Sequence, residues 1–245
     1  MTVTLVALAA IALVAFATEG AIGFGGTVIA ASIGAQVLPI EALLPAFVPL
    51  NLALSSWLVT RGAPSVAWRM LAVEIALPVG VGAAGGLVLF HLPAKTLLAL
   101  AFGVFVAGLA VLQLVRPADR PLARPWQIAL LVLGGVAHGL FGTGGPMIVY
   151  VVRRKLPDKL AFRSTLAVLW LVLNTALLLN FLSLDLYQRH TLDLGIVLAI
   201  VIVPALWIGE RVHHALEPAR FERVVWLMLL VAGLALVVRN AIALL

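Results

Sequence analysis

Glu19 and His138 are the side chains best placed for acid–base work, because each stands directly before a glycine cluster: EGAIGFGGTVI at 19–29 and HGLFGTGGPMI at 138–148. A carboxylate and an imidazole facing one cavity can bind and release protons, which makes the pair candidates for proton coupling. The plainer role for each is a structural hydrogen bond or an interfacial position. The glycines suggest a second chemistry. After each break a helix begins, at Gly25-Gly26-Thr27 and at Gly144-Gly145-Pro146, with Pro146 suited to a first helical turn. Helix starts carry unpaired N–H groups and partial positive charge, and the missing Cβ of glycine lets an anion approach that backbone closely. Candidate anion-binding residues are therefore Gly23, Gly25, Gly26 and Thr27 in the first cluster and Gly142, Thr143, Gly144 and Gly145 in the second. The competing role for such glycines is close helix packing, which we assign to Gly82 and Gly86 at their small-xxx-small spacing. Neither cluster is a phosphate loop, since no Gly-Lys-Ser/Thr ending follows, and neither is a dinucleotide fingerprint.

The elements that carry these residues belong to a membrane. Of the 245 residues 64% are hydrophobic and 11% charged, with a mean hydropathy of +1.19, well outside the range of soluble domains. Apolar stretches fall at roughly 3–20, 24–38, 41–60, 68–90, 94–115, 126–141, 145–153, 160–182, 192–214 and 219–242, joined by short polar connectors that leave no room for a soluble domain. The sequence predicts an all-α polytopic membrane protein. The stretches after Gly23 and Gly142 are too short to cross about 30 Å of hydrocarbon at about 1.5 Å per residue, which predicts half-helices or re-entrant hairpins. Ala15-Phe16-Ala17 resembles a cleavage site, but no basic segment precedes it, so the first stretch reads as a helix. There is no cysteine, which excludes disulfides and thiolate chemistry. The formal net charge of +6 would suggest nucleic acid in a soluble protein, but here the cations lie in loops and serve orientation; no nucleic-acid partner is expected.

A duplication organises the chain. A shift of 119 aligns Gly20 with Gly139, Gly23 with Gly142, Gly25 with Gly144, Gly26 with Gly145 and Ile29 with Ile148. VAGLA at 106–110 recurs at 231–235, and RPADRPLARP at 116–125 is the joint. Residues 1–118 thus read as a first membrane repeat and 119–245 as a second, together one transport domain of about five helical segments per half. If each glycine break is a hairpin, the second half is inverted, and every Lys and Arg except Lys95, Arg189 and Arg239 falls on one face, 13 of the 16. If each break only interrupts a single span, the division is 9 against 7. The positive-inside rule selects the hairpins, with both termini outside and the joint in the cytoplasm. Trp57, Trp68, Trp126 and Trp226 stand beside the basic clusters, as an interfacial aromatic belt requires.

Other polar residues within apolar stretches are few. Asn51, Ser55 and Ser56 in the third stretch resemble Thr165, Asn174 and Thr175 in the eighth, and Ser55, Ser56, Asn174 and Thr175 are candidate lining residues, with backbone hydrogen bonding as the alternative for each. Glu210 reads as structural, Glu74 stays open, and Arg163 is placed either to draw anions to the inner mouth or to orient its helix.

The paired motifs GAIGFGGTVIAAS and HGLFGTGGPMIVYVV, each followed by a proline loop (Leu38-Pro39, Leu156-Pro157) and a polar-flecked helix, resemble the TauE/SafE sulfite exporter family from the first motif to the GLALVVR tail. Members commonly carry a third glycine or a proline where this chain has Thr27. The resemblance implies an inner-membrane carrier of small sulfur oxyanions or organosulfur anions such as sulfite, sulfoacetate or thiosulfate.

Helix polarity and resemblance together predict a secondary transporter, an exporter working by alternating access around a central site between the two Gly-rich helix starts, whose partners are a small anion, the bilayer and protons or another coupling ion. No catalytic residue, cofactor or metal site is expected. Two other classes compete. An anion channel would share the electrostatics, and a membrane-embedded enzyme would need a nucleophile beside His138 that neither glycine break supplies.

Overall fold

The computed structural model describes residues 2–34, 37–38, 40–89, 95–115, 122–142 and 144–243, and these are helical apart from short connections. Helix α1 (Thr2–Ile22) stops at two glycines with left-handed backbone, Gly23 (φ 85°) and Gly25 (φ 100°), a conformation that a Cβ disfavours. The chain restarts as α2 (Gly26–Ile29), which widens into a π-helical turn over Ala30–Gly34. Next come α3 (Ile40–Gly62), the short α4 (Trp68–Met70) with a π turn at Leu71–Ile75, α5 (Ala76–Leu89) and α6 (Lys95–Val115). After the joint, α7 (Arg124–Phe141) ends at left-handed Gly142 (φ 64°) and α8 (Gly145–Lys155) follows with Pro146 in its first turn. The series closes with α9 (Lys159–Ser183), capped by the Asp158 side chain at the Ala161 N–H, then α10 (Arg189–Ala199), α11 (Ile202–Ala215) and α12 (Pro218–Ile242).

Among the described residues five helices are long and apolar enough to cross a membrane, and α10 with α11 makes a sixth, broken span. That last pair departs from the continuous stretch expected at 192–214. It bends by 46° at residues 200–201, because Pro204 offers no N–H to the carbonyl four residues back and its ring crowds that carbonyl. Large apolar side chains such as Leu77, Val88, Ile196, Val203 and Val231 point outward, while polar Glu19, Asn51, His138, Arg163 and Asn174 are buried. This inversion of the soluble pattern is what a hydrocarbon surround selects.

The closest packing runs between α1 and α11, α5 and α7, α3 and α9, and α6 and α12. Exchanging each helix for the one six places along leaves these four pairings unchanged. Small residues make the crossings possible. A Cβ on Gly139 would lie 2.5 Å from the Ala83 carbonyl and one on Gly86 would lie 2.9 Å from the Gly139 Cα, so α5 and α7 touch backbone to backbone. The packing role expected for Gly82 and Gly86 holds at this contact. Gly209 does the same on α11, where a Cβ would sit 3.0 Å from the Gly20 carbonyl carbon. One expectation fails: Trp226 is buried against the edge of the Tyr150 ring rather than exposed in an aromatic belt, whereas Trp68 and Trp126 are exposed. Its position on α12 faces α8, and packing there outweighs interfacial anchoring.

Candidate functional site

A helix that ends inside the protein must find partners for its last carbonyls. For α1 they come from α9 and α11. The Arg163 guanidinium donates to the Gly20 carbonyl at 2.9 Å, His213 Nδ1 donates to the Ala21 carbonyl at 2.7 Å, and Trp170 Nε1 donates to the Gly23 carbonyl at 2.8 Å. Arg163 is itself balanced by Glu210 at 3.0 Å, and Glu210 also accepts from His214 at 3.0 Å. Lys159 donates to the His213 and Leu216 carbonyls at the end of α11. Arg163 is therefore neither an anion attractor at a mouth nor a surface orienting charge; it is buried and ties the end of α1 at the first break to α9 and α11. Glu210 is structural, as its neighbourhood in the sequence indicated. Glu74, left open by the sequence, pairs with Lys155 at the partly exposed surface of the protein.

The two breaks converge. Glu19, Phe24, Gly25, Thr27 and Val28 from the first, His138 and Gly145 from the second, Asn51 from α3, and Trp170 and Asn174 from α9 line one cavity of about 10 Å³, room for about one water molecule. Its polar atoms are linked in a row. The Glu19 carboxylate accepts the Gly26 N–H at the start of α2 and also Asn51 Nδ2 at 2.7 Å. Asn51 Oδ1 accepts Asn174 Nδ2 at 2.7 Å and the Ser55 hydroxyl at 3.3 Å. Gly26 has to be glycine for this, because a Cβ there would fall on Glu19 Oε2. The close approach of an anion to glycine backbone, expected of a ligand, is thus made by the protein's own carboxylate.

The second break is furnished differently. His138 is 2% exposed, and neither ring nitrogen has a hydrogen-bond partner among the described residues. Its ring stacks on Trp170 at 5.8 Å between centroids. Asn174 Oδ1 is likewise buried and unpartnered among the described residues. Gly145, at the start of α8, faces Phe24 and Trp170, and a Cβ there would touch each at 3.8–3.9 Å. Gly144 instead packs into α7, where a Cβ would lie 2.7 Å from His138 Cβ.

Of the expected site residues, Glu19, Gly25, Thr27, His138, Gly145 and Asn174 meet at the cavity, and Gly26 and Ser55 bond to its lining. Gly23 supplies the carbonyl that Trp170 holds, and Gly142 makes the turn, with its open side toward Leu44 and Leu177. Thr143 lies outside the described residues. Ser56 and Thr175 turn outward, are exposed, and return their hydroxyls to the Leu52 and Leu171 carbonyls of their own helices. A step of one residue rotates a side chain by about 100° around a helix, so Ser55 and Ser56 cannot share a face. Phe24 and Trp170 were not anticipated. Trp170 had a signal, since it lies 119 residues after Asn51 and so holds the equivalent place.

Apolar helices long enough to span a membrane, exposed to it on their outer faces and broken around a buried polar cavity, define an integral membrane protein. The profile of the family described as sulfite exporter TauE/SafE matches residues 8–236, nearly the whole chain. The protein belongs to this family of membrane transporters. Among curated proteins it is similar to the probable inner membrane transporter protein TsaS of Comamonas testosteroni, 27% identical over 105 residues, which are 42% of this chain and 44% of that protein. The match spans less than half of the relative's length. No solved structure matches the chain.

Proposed function

We infer that the protein is a secondary transporter, in the exporting direction, of a small sulfur-containing anion such as sulfite, thiosulfate or an organosulfonate. The observation that carries this reading is the convergence of two glycine-broken helices on one buried polar cavity, with α2 and α8 both starting there. Helix starts favour negative charge, and non-helical backbone at membrane depth is sustained where it lines such a cavity. Gly23, Gly25, Gly26, Thr27, Gly142, Thr143, Gly144, Gly145, Ser55 and Asn174 form or support the site in this reading, with Glu19 and His138 as proton carriers. The outward-facing Ser56 and Thr175 have no part in it.

The exchange symmetry of the helix pairings supports two repeats, 1–118 and 119–245, the cation distribution supports their inverted topology, and alternating access follows from the rocking of such halves about a shared site. The charge distribution supports termini outside an inner membrane, the location that the name of the Comamonas relative carries. The narrowness of the cavity favours a gated carrier over an open channel. Purified protein in proteoliposomes should give saturable uptake of labelled sulfite or thiosulfate, with counterflow when unlabelled anion is trapped inside. Single-channel currents in a planar bilayer, or no saturable flux of any of these anions at any imposed pH gradient, would overturn the reading.

A further inference from the structure

Each amide in the row from Glu19 to the cavity has its orientation fixed by the one before it. A carboxylate only accepts hydrogen bonds, so Asn51 must turn Nδ2 toward Glu19 and Oδ1 away. Asn51 Oδ1 then demands a donor, so Asn174 must turn Nδ2 toward Asn51, at 2.7 Å. What remains for the cavity is Asn174 Oδ1, a partly negative atom with no partner, beside the start of α8 and the unpartnered His138 ring. An ionised Glu19 thus makes the cavity wall present an acceptor, which repels an anion.

Protonation reverses the row. A Glu19 carboxylic acid has an O–H to donate, and its natural acceptor is Asn51 Oδ1 after a half-turn of that amide about its terminal torsion, a two-fold rotation that leaves the side-chain shape unchanged. Asn51 Nδ2 would then face Asn174 and the Ser55 hydroxyl, which accepts as readily as it donates. Asn174 turns in response, and its NH2 enters the cavity. The Gly26 N–H keeps its bond to the Glu19 carboxyl group throughout.

We propose that Glu19, Asn51 and Asn174 form a polarity relay that couples one proton to one anion, the anion being held in the second half of the chain between the α8 start, His138 and the reversed Asn174 amide. The proposal rests on the anion-transporter reading above and adds the means of coupling. The two halves are unequal by construction. Where the first has Glu19 and Asn51, the second has His138 and Trp170 at the positions 119 residues on. The first helix start therefore holds an internal anion, and the second has unpartnered groups for an external one. The proton comes from water and ends on a Glu19 oxygen; no covalent bond between heavy atoms changes. The other ionisable groups around Glu19 are His138 across the cavity on α7, Arg163 on α9, and Glu210 and His213 on α11, while Arg189, His190 and Asp193 on α10 are exposed. Arg163 is tied to Glu210 and the Gly20 carbonyl, and His213 to the Ala21 carbonyl, so none of these three contacts the row.

Calorimetric titration of the full chain in detergent with thiosulfate, methanesulfonate and sulfite, each in two buffers of different ionisation enthalpy, reads anion binding and proton uptake together. Thiosulfate and methanesulfonate have no proton of their own near neutral pH, and sulfite is corrected for its own. The wild type should take up close to one proton per anion bound. Glu19→Gln, which can donate as the acid does, should bind without proton uptake and with an affinity that no longer varies with pH. Asn51→Leu, with Asn51→Ser as a second variant should the first misfold, should still bind but lose at least half of the uptake, because the relay is cut while Glu19 remains. Undiminished uptake in the Asn51 variants would mean direct electrostatics without a relay, and uptake surviving in Glu19→Gln but lost in His138→Gln would move the proton to the histidine; either result overturns the proposal. Binding without any uptake in the wild type ends the relay alone. Failure of all three anions to bind the wild type ends the transporter reading and the relay with it.

Discussion

Gly145→Ala separates a binding glycine from a packing glycine. The new Cβ would meet Phe24 and Trp170 at 3.8–4.0 Å, ordinary contact distances, so the fold has room for it. Stability should stay within about 0.5 kcal/mol of the wild type, as for substitutions away from strained or overpacked places. The methyl nevertheless enters a cavity of about 10 Å³ and stands over the amide face at which an anion would arrive. Loss of one charge-assisted hydrogen bond is worth about 1.5–3 kcal/mol. At about 1.4 kcal/mol per decade this weakens anion affinity by roughly 10- to 150-fold. The neighbouring Gly144→Ala is the control. Its Cβ would collide with the Gly134 carbonyl oxygen and His138 Cβ, so it should unfold the junction of α7 and α8 by about 1–3 kcal/mol through overpacking. Thermal unfolding in detergent reads the stability of both variants, and the half-saturating anion concentration for proteoliposome flux reads affinity. If Gly145→Ala melts like the wild type and transports with unchanged half-saturation, the α8 start is not where the anion binds. If its melting temperature falls as far as that of Gly144→Ala, the glycine serves packing.

Three other outcomes follow from the packing. Arg163→Met should lower stability by about 3 kcal/mol, the lower end for breaking a buried ion pair because Glu210 keeps some solvent contact, and Glu210→Gln in the same chain should recover part of it in a double-mutant thermal cycle. Gly139→Ala should cost about 1–3 kcal/mol by pushing α7 off α5, whereas Gly85→Ala, with nothing within 4 Å of its new Cβ, should be neutral or more stable by about 0.5–1 kcal/mol, both read by thermal unfolding. Glu74→Gln should change stability by less than about 1 kcal/mol, since its pair with Lys155 is half-exposed; a larger loss in the same assay would show that the π turn at Leu71–Ile75 depends on that charge.

The sequence alone determined where the two glycine breaks fall, because that is a property of single residues, although it did not show the bend between α10 and α11. Gly23, Gly25 and Gly142 take a backbone conformation closed to most others, and apolar length between them sets the possible spans. It also determined the family, through two glycine motifs in fixed register, and it marked Glu19 and His138 as equivalent positions. Helix packing alone decided what surrounds those positions. Arg163 reads from the sequence as a cation near a helix mouth, yet the meeting of α9 with the end of α1 buries it against the Gly20 carbonyl. Ser55 and Ser56 read alike, and the rotation of α3 against α9 turns one inward and the other out. The link from Asn51 to Asn174 joins residues 123 apart, and the stacking of His138 on Trp170 joins two different helices. Periodicity fixes which residues share a helix face, but which face turns inward, and what it meets there, is set by the fit of one helix surface to another.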